Sequence, residues 1–434
     1  MIKASIPPTP LAAERSPWLR GPIRLPGDPL LSALALILAA MARGESVLEG
    51  LSLDRQTEAV AGVLRQLGAH VALRSGRWHV QGIGVGGFLE PEGALEMSET
   101  GDAAPLLVGL LGAHDFPTSL LGLVPNPVTE ALLDFLRRGG GLVERDGAGA
   151  QIRGPRFGIP LDLGLSAGAQ GLVAPLLLHG LVTPGRSGLL LGEGLHDPAE
   201  DMLALFGARL TATEVEGGTR VGLDGLSPLR ALNLAAPGDP RLAAYPAVAA
   251  MIAADSELTI SGVALHPHGM VLLDALALLG GDISIGAPER GSTDMVVKHA
   301  PLTGTTIPAN LGIAAEDYPI LAVAAAFAQG ETVFEGLGEG TRRLALTRAL
   351  RANGVDCVEQ AGGGLVIRGR PRVPGGGNVM ARLDPKLAMA FLVLGMAADR
   401  AVTVEDASVV AELFPDFVSA FEHVGASFSA GLAA

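Results

Sequence analysis

Six glycines recur along the 434-residue chain at nearly constant spacing: Gly68, Gly140, Gly207, Gly280, Gly354 and Gly425. Successive gaps are 72, 67, 73, 74 and 71 residues, a period of about 70. Each glycine ends a helical pattern, where a residue of positive φ is wanted. Two β runs joined by a Gly-rich or charged turn follow five of them: HVALRSGRWHVQGI, LVERDGAGAQIRG, RLTATEVEGGTRVGL, DISIGAPERGSTDMVV and DCVEQAGGGLVIRG. The sixth copy stops after SFS, near the end of the chain.

The front half of each copy is as regular. The strand runs are ESVLEGL, TSLLGLV, SGLLLGE, ELTISGV, ETVFEGL and AVTVEDA. Ala/Leu-rich helices such as SALALILAAMA, YPAVAAMIAA and AFLVLGMAA precede them. These are apolar on nearly every face and are expected inside a domain. TEAVAGVLRQLG and LTRALRANG are amphipathic and expected at the surface. The class is α/β, built from six βαβαββ units. Counting repeats leaves a closed ring, a solenoid and two three-fold domains all open, with 230–240 as the natural hinge.

Composition narrows the partners. With 45 acidic against 31 basic residues the net charge is −14, and no basic patch marks a nucleic-acid binder. Hydrophobic residues make up 48% and charged residues 18%, enough for a large core and against disorder. The single Cys357 excludes a disulfide framework and a Cys-based zinc site. His266 and His268 have no evident third ligand, so no metal is expected, and no cofactor. The N-terminus has no apolar h-region, and the apolar run 246–254 is too short to span a bilayer. A cytoplasmic protein with no membrane partner is the expectation.

Several segments together resemble the 5-enolpyruvylshikimate-3-phosphate (EPSP) synthase family, most closely its bacterial class II type. They are RLPGD from 24, EDMLALFGA from 200, APGDP from 236, DYPILAVAAAFAQGETV from 317, ANGVDC from 352, GLVIRGRP from 364, AMAFLVLGM from 388 and FPDF from 414. The resemblance implies two domains, each of three βαβαββ repeats around buried parallel helices. They would comprise 22–232, and 1–21 with 233–434, with the ligand cleft between them. It also implies transfer of the enolpyruvyl group of phosphoenolpyruvate to shikimate 3-phosphate, with release of phosphate. Such anions need Lys, Arg and helix N-termini, and the enol carbons need an acid and a base.

Position by position, the resemblance is uneven. The family's Lys-Ser-x-Ser-x-Arg reads PLLSAL here: Pro29, Leu30 and Leu34 replace Lys, Ser and Arg, and Ser32 remains. Asp102 stands where a neutral hydroxyl is expected, Pro105 replaces an Arg, and Asn126 replaces the Arg of Arg-Pro-Met. Gln170 matches the Ser-Ala-Gln segment, and Asp197 and Glu200 match another motif in which they read equally as caps. Glu316 aligns with the catalytic Asp, while Glu339 and Arg342 match the Glu and Arg of a loop whose Lys is Gly338. Lys386 keeps one charge of Asp-His-Arg. The family positions therefore assign catalysis to Glu316 and Glu339, and substrate binding to Ser32, Gln170, Arg342 and Lys386.

Residues opening the apolar helices include Asp28, Asp102, Asp239, Glu316, Asp317 and Asp384, against Arg241 and Lys386. Asp at a helix start is commonly a cap, but caps do not restore missing cations. Two substrates of combined charge about −6 would meet repulsion there. The expectation is a diverged member that has lost the standard transfer, binding another anionic metabolite or serving an unknown protein partner. Its alternatives are a working EPSP synthase with a rearranged site, or a carboxyvinyl-type transferase acting on another acceptor.

Overall fold

The computed structural model describes residues 9–192, 196–265, 267–289, 291–338, 340–360, 362–381 and 383–431. Glu339 and His266, singled out in the sequence, lie outside the described residues, as does the side chain of His268. The chain divides into two compact units, 27–237 and 1–26 with 238–434.

Within 27–237 the helices are α1 (Pro29–Met41), α2 (Arg55–Gln66), α3 (Ala104–Leu111), α4 (Pro127–Arg138), α5 (Val173–Val182) and α6 (Pro198–Leu205). Every residue of α3 and α5 is buried, as is α1 from Leu31 onward. In α2 and α4 only one face is buried, as the sequence periodicity predicts. Two of the unit's three sheets share one four-stranded order. Leu95–Glu96 runs parallel to Thr118–Leu121, which pairs antiparallel with Gly149–Arg153 and through it with Leu142–Asp146. Asp162–Leu165, Arg186–Gly192, Gly218–Asp224 and Leu210–Val215 repeat that order. In the remaining sheet the parallel strand comes from the far end of the unit: Leu229–Arg230 and Asn233–Ala235 lie beside Ala42–Glu49.

The other unit holds α7 (Pro240–Ile252), α8 (Pro267–Leu278), α9 (Tyr318–Phe327), α10 (Thr341–Ala352), α11 (Pro385–Gly395) and α12 (Phe417–His423). Here α7, α9 and α11 form the buried set, packed into one continuous core with the inner faces of three sheets. Two strands reach this unit from the beginning of the chain. Arg20–Arg24 pairs parallel with Glu257–Ala264. Leu11–Glu14 sits between Val402–Val404 and Ser427–Ala430, antiparallel to both, and so completes the sixth repeat that the sequence leaves short. These pairings explain why the units part at 26/27 and 237/238, a few residues beyond 21/22 and 232/233. No helix among the described residues is long and apolar enough to cross a membrane.

All six period-marking glycines have positive φ, between 75° at Gly354 and 109° at Gly425. At Gly140, φ is 85° and a Cβ would meet nothing within 4 Å. Gly140→Ala therefore isolates backbone strain from crowding. We expect a loss of ~1–2 kcal/mol, read as a lower urea midpoint, and a smaller loss for Gly140→Asn.

The core of 27–237 also holds an ionisable group. His179 of α5 is buried, with Nδ1 3.1 Å from the Gly109 carbonyl of α3, and Phe135 of α4 meets its ring edge-on. Burial pushes its pKa down to about 4 from 6.5, outweighing the carbonyl, which raises it. The unfolded chain then takes up the proton first. The stability associated with neutral His179 is complete above pH 6.5 and is lost as pH falls toward 4, by ~3 kcal/mol. Subtracting the stability–pH curve of His179→Leu from that of the unmodified chain should leave this slope. A flat difference would refute it.

Candidate functional site

Three buried helices of the second unit begin close together, and their first turns are charged. Asp239 precedes α7 and accepts from the Arg241 backbone N–H at 2.8 Å. Asp384 precedes α11 and accepts from the N–H groups of Lys386 and Leu387, each at 3.1 Å. Both are caps, as Asp is expected to be at that position. Asp317 precedes α9 but makes no side-chain cap. Its carboxylate instead meets Lys386 Nζ at 2.5 Å. With side-chain exposures of 7% and 13%, this is a buried ion pair linking α9 to α11.

Glu316, one residue earlier, is better exposed and lies between two cations. Lys386 Nζ is 3.7 Å from Oε1, and Arg342 Nη1 is 3.7 Å from Oε2. Arg342, from the first turn of α10, also donates through Nε to Asp384 Oδ2 at 2.7 Å. Arg241 grips the Asp239 carboxylate through Nε and Nη2 at 3.2 and 3.1 Å. Burial pushes the Glu316 carboxyl up. Its own backbone N–H, Lys386, Arg342 and Arg241 together outweigh that and hold it below the usual carboxylate range. Glu316 is thus an ionised, partly exposed carboxylate at neutral pH.

Beneath this layer lies Tyr245 of α7, fully buried, its hydroxyl 3.4 Å from the Lys386 carbonyl oxygen. Burial, followed by the fields of Asp317, Asp384, Asp239 and Glu316, raises its pKa well above 10. It stays a neutral donor on the floor of a site with four carboxylates and three cations.

Of the predicted site residues, Glu316, Arg342 and Lys386 are brought together. Ser32 and Gln170 belong to the other unit. Ser32 is fully buried, and its hydroxyl accepts from the Ser52 backbone N–H at 2.9 Å. That hydrogen bond ties α1 to the loop that holds Ser52. Gln170 is half-buried in the 3-10 turn Ala167–Leu172, its carbonyl accepting from the Val173 N–H at the start of α5. Asp197 and Glu200 form a capping box on α6.

The positions read from the sequence as lost family residues mostly have structural duties. Pro29 is the first residue of α1, behind the Asp28 cap on Leu31. Leu34 is 1% exposed in the core, Pro105 is buried in α3, and Asn126 caps α4 through the Thr129 N–H at 2.8 Å. Leu30 is exposed, and Gly338 has φ of 73°. Counting only the residues that open the buried helices omitted Arg342, which arrives from a surface helix, and merged the two units' charges. Asp317, Asp384 and Arg241 entered that count without a site role, and Tyr245 was missed. A Tyr inside an apolar helix one turn after a charged opening was the available signal.

The pair Lys386–Asp317 makes a stability test. Lys386→Met leaves a buried carboxylate without its cation and should cost ~3–5 kcal/mol. Adding Asp317→Asn should recover most of it. If the double variant unfolds at the same denaturant midpoint as Lys386→Met, the pair is not what the single change breaks.

Comparison with known proteins bears on what this site does. The family model described as EPSP synthase (3-phosphoshikimate 1-carboxyvinyltransferase) matches residues 14–421. A 3-phosphoshikimate 1-carboxyvinyltransferase of Rhodospirillum rubrum is 37% identical over 449 residues, covering 98% of this chain and 99% of that protein. One from Parvibaculum lavamentivorans is 36% identical over 444 residues, with 96% of each covered. The solved EPSP synthase from Acinetobacter baumannii has a TM-score of 0.79 at 25% identity and covers 98% of this chain and 100% of its own. These findings correct the expectation that the transfer is lost and the chain non-catalytic. The likeness runs the full length of proteins named for that activity, and it outweighs an argument from single cation positions.

Proposed function

The chain belongs to the EPSP synthase family, and from that premise we propose that it is a working 3-phosphoshikimate 1-carboxyvinyltransferase, moving the enolpyruvyl group of phosphoenolpyruvate to shikimate 3-phosphate. The reading includes small anionic metabolites as partners and a cytoplasmic setting. Its main structural support is the cluster in which Arg342 and Lys386 flank Glu316 at the openings of buried helices.

The chemistry follows from that arrangement. Transfer forms a bond between the acceptor oxygen and the substituted enol carbon and breaks the bond from that carbon to the phosphate oxygen. The neighbouring CH2 carbon gains a proton and later loses one. Arg342 has 47% of its side chain exposed, so it can turn from Glu316 to a substrate carboxylate or phosphate. Arg241, gripping Asp239, adds a second guanidinium, and Lys386 a buried point charge. Helix N-termini favour anions in the same place.

Binding and proton transfer are then linked. Lys386, Arg342 and Arg241 are among the groups that hold the Glu316 carboxyl low. A substrate anion that engages them removes part of that influence while burial remains. The carboxyl rises toward the range in which it exchanges protons readily. The acid–base group is therefore tuned by substrate occupancy.

Phosphate release from phosphoenolpyruvate, dependent on shikimate 3-phosphate, tests the reading. Glu316→Gln should lower kcat by ~10²–10⁴-fold. Arg342→Ala should raise KM, with kcat/KM falling ~10–100-fold for one lost charge-assisted contact. Phosphate release no faster than in an enzyme-free control would sink the proposal.

A further inference from the structure

We propose that the unit formed by 1–26 and 238–434 has a second small-molecule site, at the C-terminal ends of α7, α9 and α11, that takes a small apolar carboxylate. The inference stands apart from the transfer reading. A cavity of about 370 Å³ opens there, within the size range of small-ligand sites. Since α7 has 13 residues, its two ends are about 20 Å apart. The cavity is thus at the opposite end of the helix from Asp239 and Arg241.

Its walls suit an apolar body. Ile252, Leu302, Phe327 and Pro301 line it, a surface on which a hydrocarbon or aryl group sheds water. The rim suits a single negative charge. Arg15 Nη1 and Arg372 Nη2 both point at the same oxygen of Asp399, at 3.2 and 2.9 Å. One carboxylate shared by two guanidiniums leaves one positive charge uncompensated within that group. Both guanidiniums are more than half exposed, so either can turn to a second carboxylate and engage it in fork geometry.

A third feature lies deeper. Ser16, 3% exposed, lines the cavity and is tied by its backbone N–H to the Met396 carbonyl at 2.8 Å. Its hydroxyl has no hydrogen-bond partner among the described residues. A buried hydroxyl normally has one, and rotation of the Ser16 side chain toward the cavity its residue lines would give it a ligand carboxylate as acceptor. His299 borders the opening with its ring held by Nδ1 to the Met251 carbonyl at 2.7 Å. An apolar slot with excess positive charge at its mouth and an unsatisfied donor inside selects a monocarboxylate over a neutral molecule of the same shape.

Calorimetric titration of the full chain with benzoate, and separately with benzamide, tests this. Benzoate should bind with Kd of ~0.1–1 mM, and benzamide at least ~10-fold more weakly. The double variant Arg15→Ser, Arg372→Ser changes two exposed side chains. It should fold normally and lose the preference for benzoate, while Ser16→Ala should weaken benzoate with less effect on benzamide. Saturating phosphoenolpyruvate and shikimate 3-phosphate should leave benzoate binding unchanged. Equal affinities for the two probes, no heat from benzoate up to ~20 mM, benzoate affinity undiminished in the double variant, or displacement by the two anions would each overturn the proposal.

Discussion

Parallel packing of apolar helices is the constraint from which the rest of the molecule follows. In the unit of 238–434, α7, α9 and α11 are buried together, and their charged first turns meet at one end. Parallel helices align their dipoles, so three partially positive ends with orphan N–H groups come side by side. Such a cluster is stable only when carboxylates or other acceptors are brought to it. Asp239 and Asp384 do this as caps, while Asp317 caps nothing and sets its charge there in a buried pair with Lys386.

The proposed chemistry draws on the same groups. Carboxylates gathered to satisfy helix ends attract Arg241, Arg342 and Lys386, and these cations can in turn hold a bound anion. Glu316 belongs to this layer but caps nothing, so its carboxylate can take part in chemistry. Tyr245 underneath is kept neutral by burial and by the surrounding negative charge, which adds a hydrogen-bond donor without another charge. On the proposed reading, stability and anion binding are two uses of one electrostatic arrangement.

The buried helices of 27–237 carry no charged residue in their first turns. They open with Asp28, Pro29 and Pro105, and Leu34 faces the core. Proline in the first turn and leucine in the core improve the helix start and the packing. A count of cations by sequence position takes such substitutions as lost function. Family membership over the full length corrects that, because it weighs every position together.

Much was legible in the sequence because local rules govern it. The 70-residue period, the buried or amphipathic character of each helix, the positive-φ glycines and the Asp caps depend on neighbouring residues or on a helix period, and all appear in the structure. Pairings between distant segments were not. Leu11–Glu14 completing the last sheet, and Asn233–Ala235 closing on Ala42–Glu49, depend on hydrogen bonds between residues hundreds apart. Nor could the sequence tell that Arg342 reaches both Asp384 and Glu316 while Ser32 turns inward. The sequence by itself determined the repeat, the helix ends and the family. Only the tertiary structure decided which charges meet, because an ion pair depends on separations of a few ångströms and spacing along the chain does not report them.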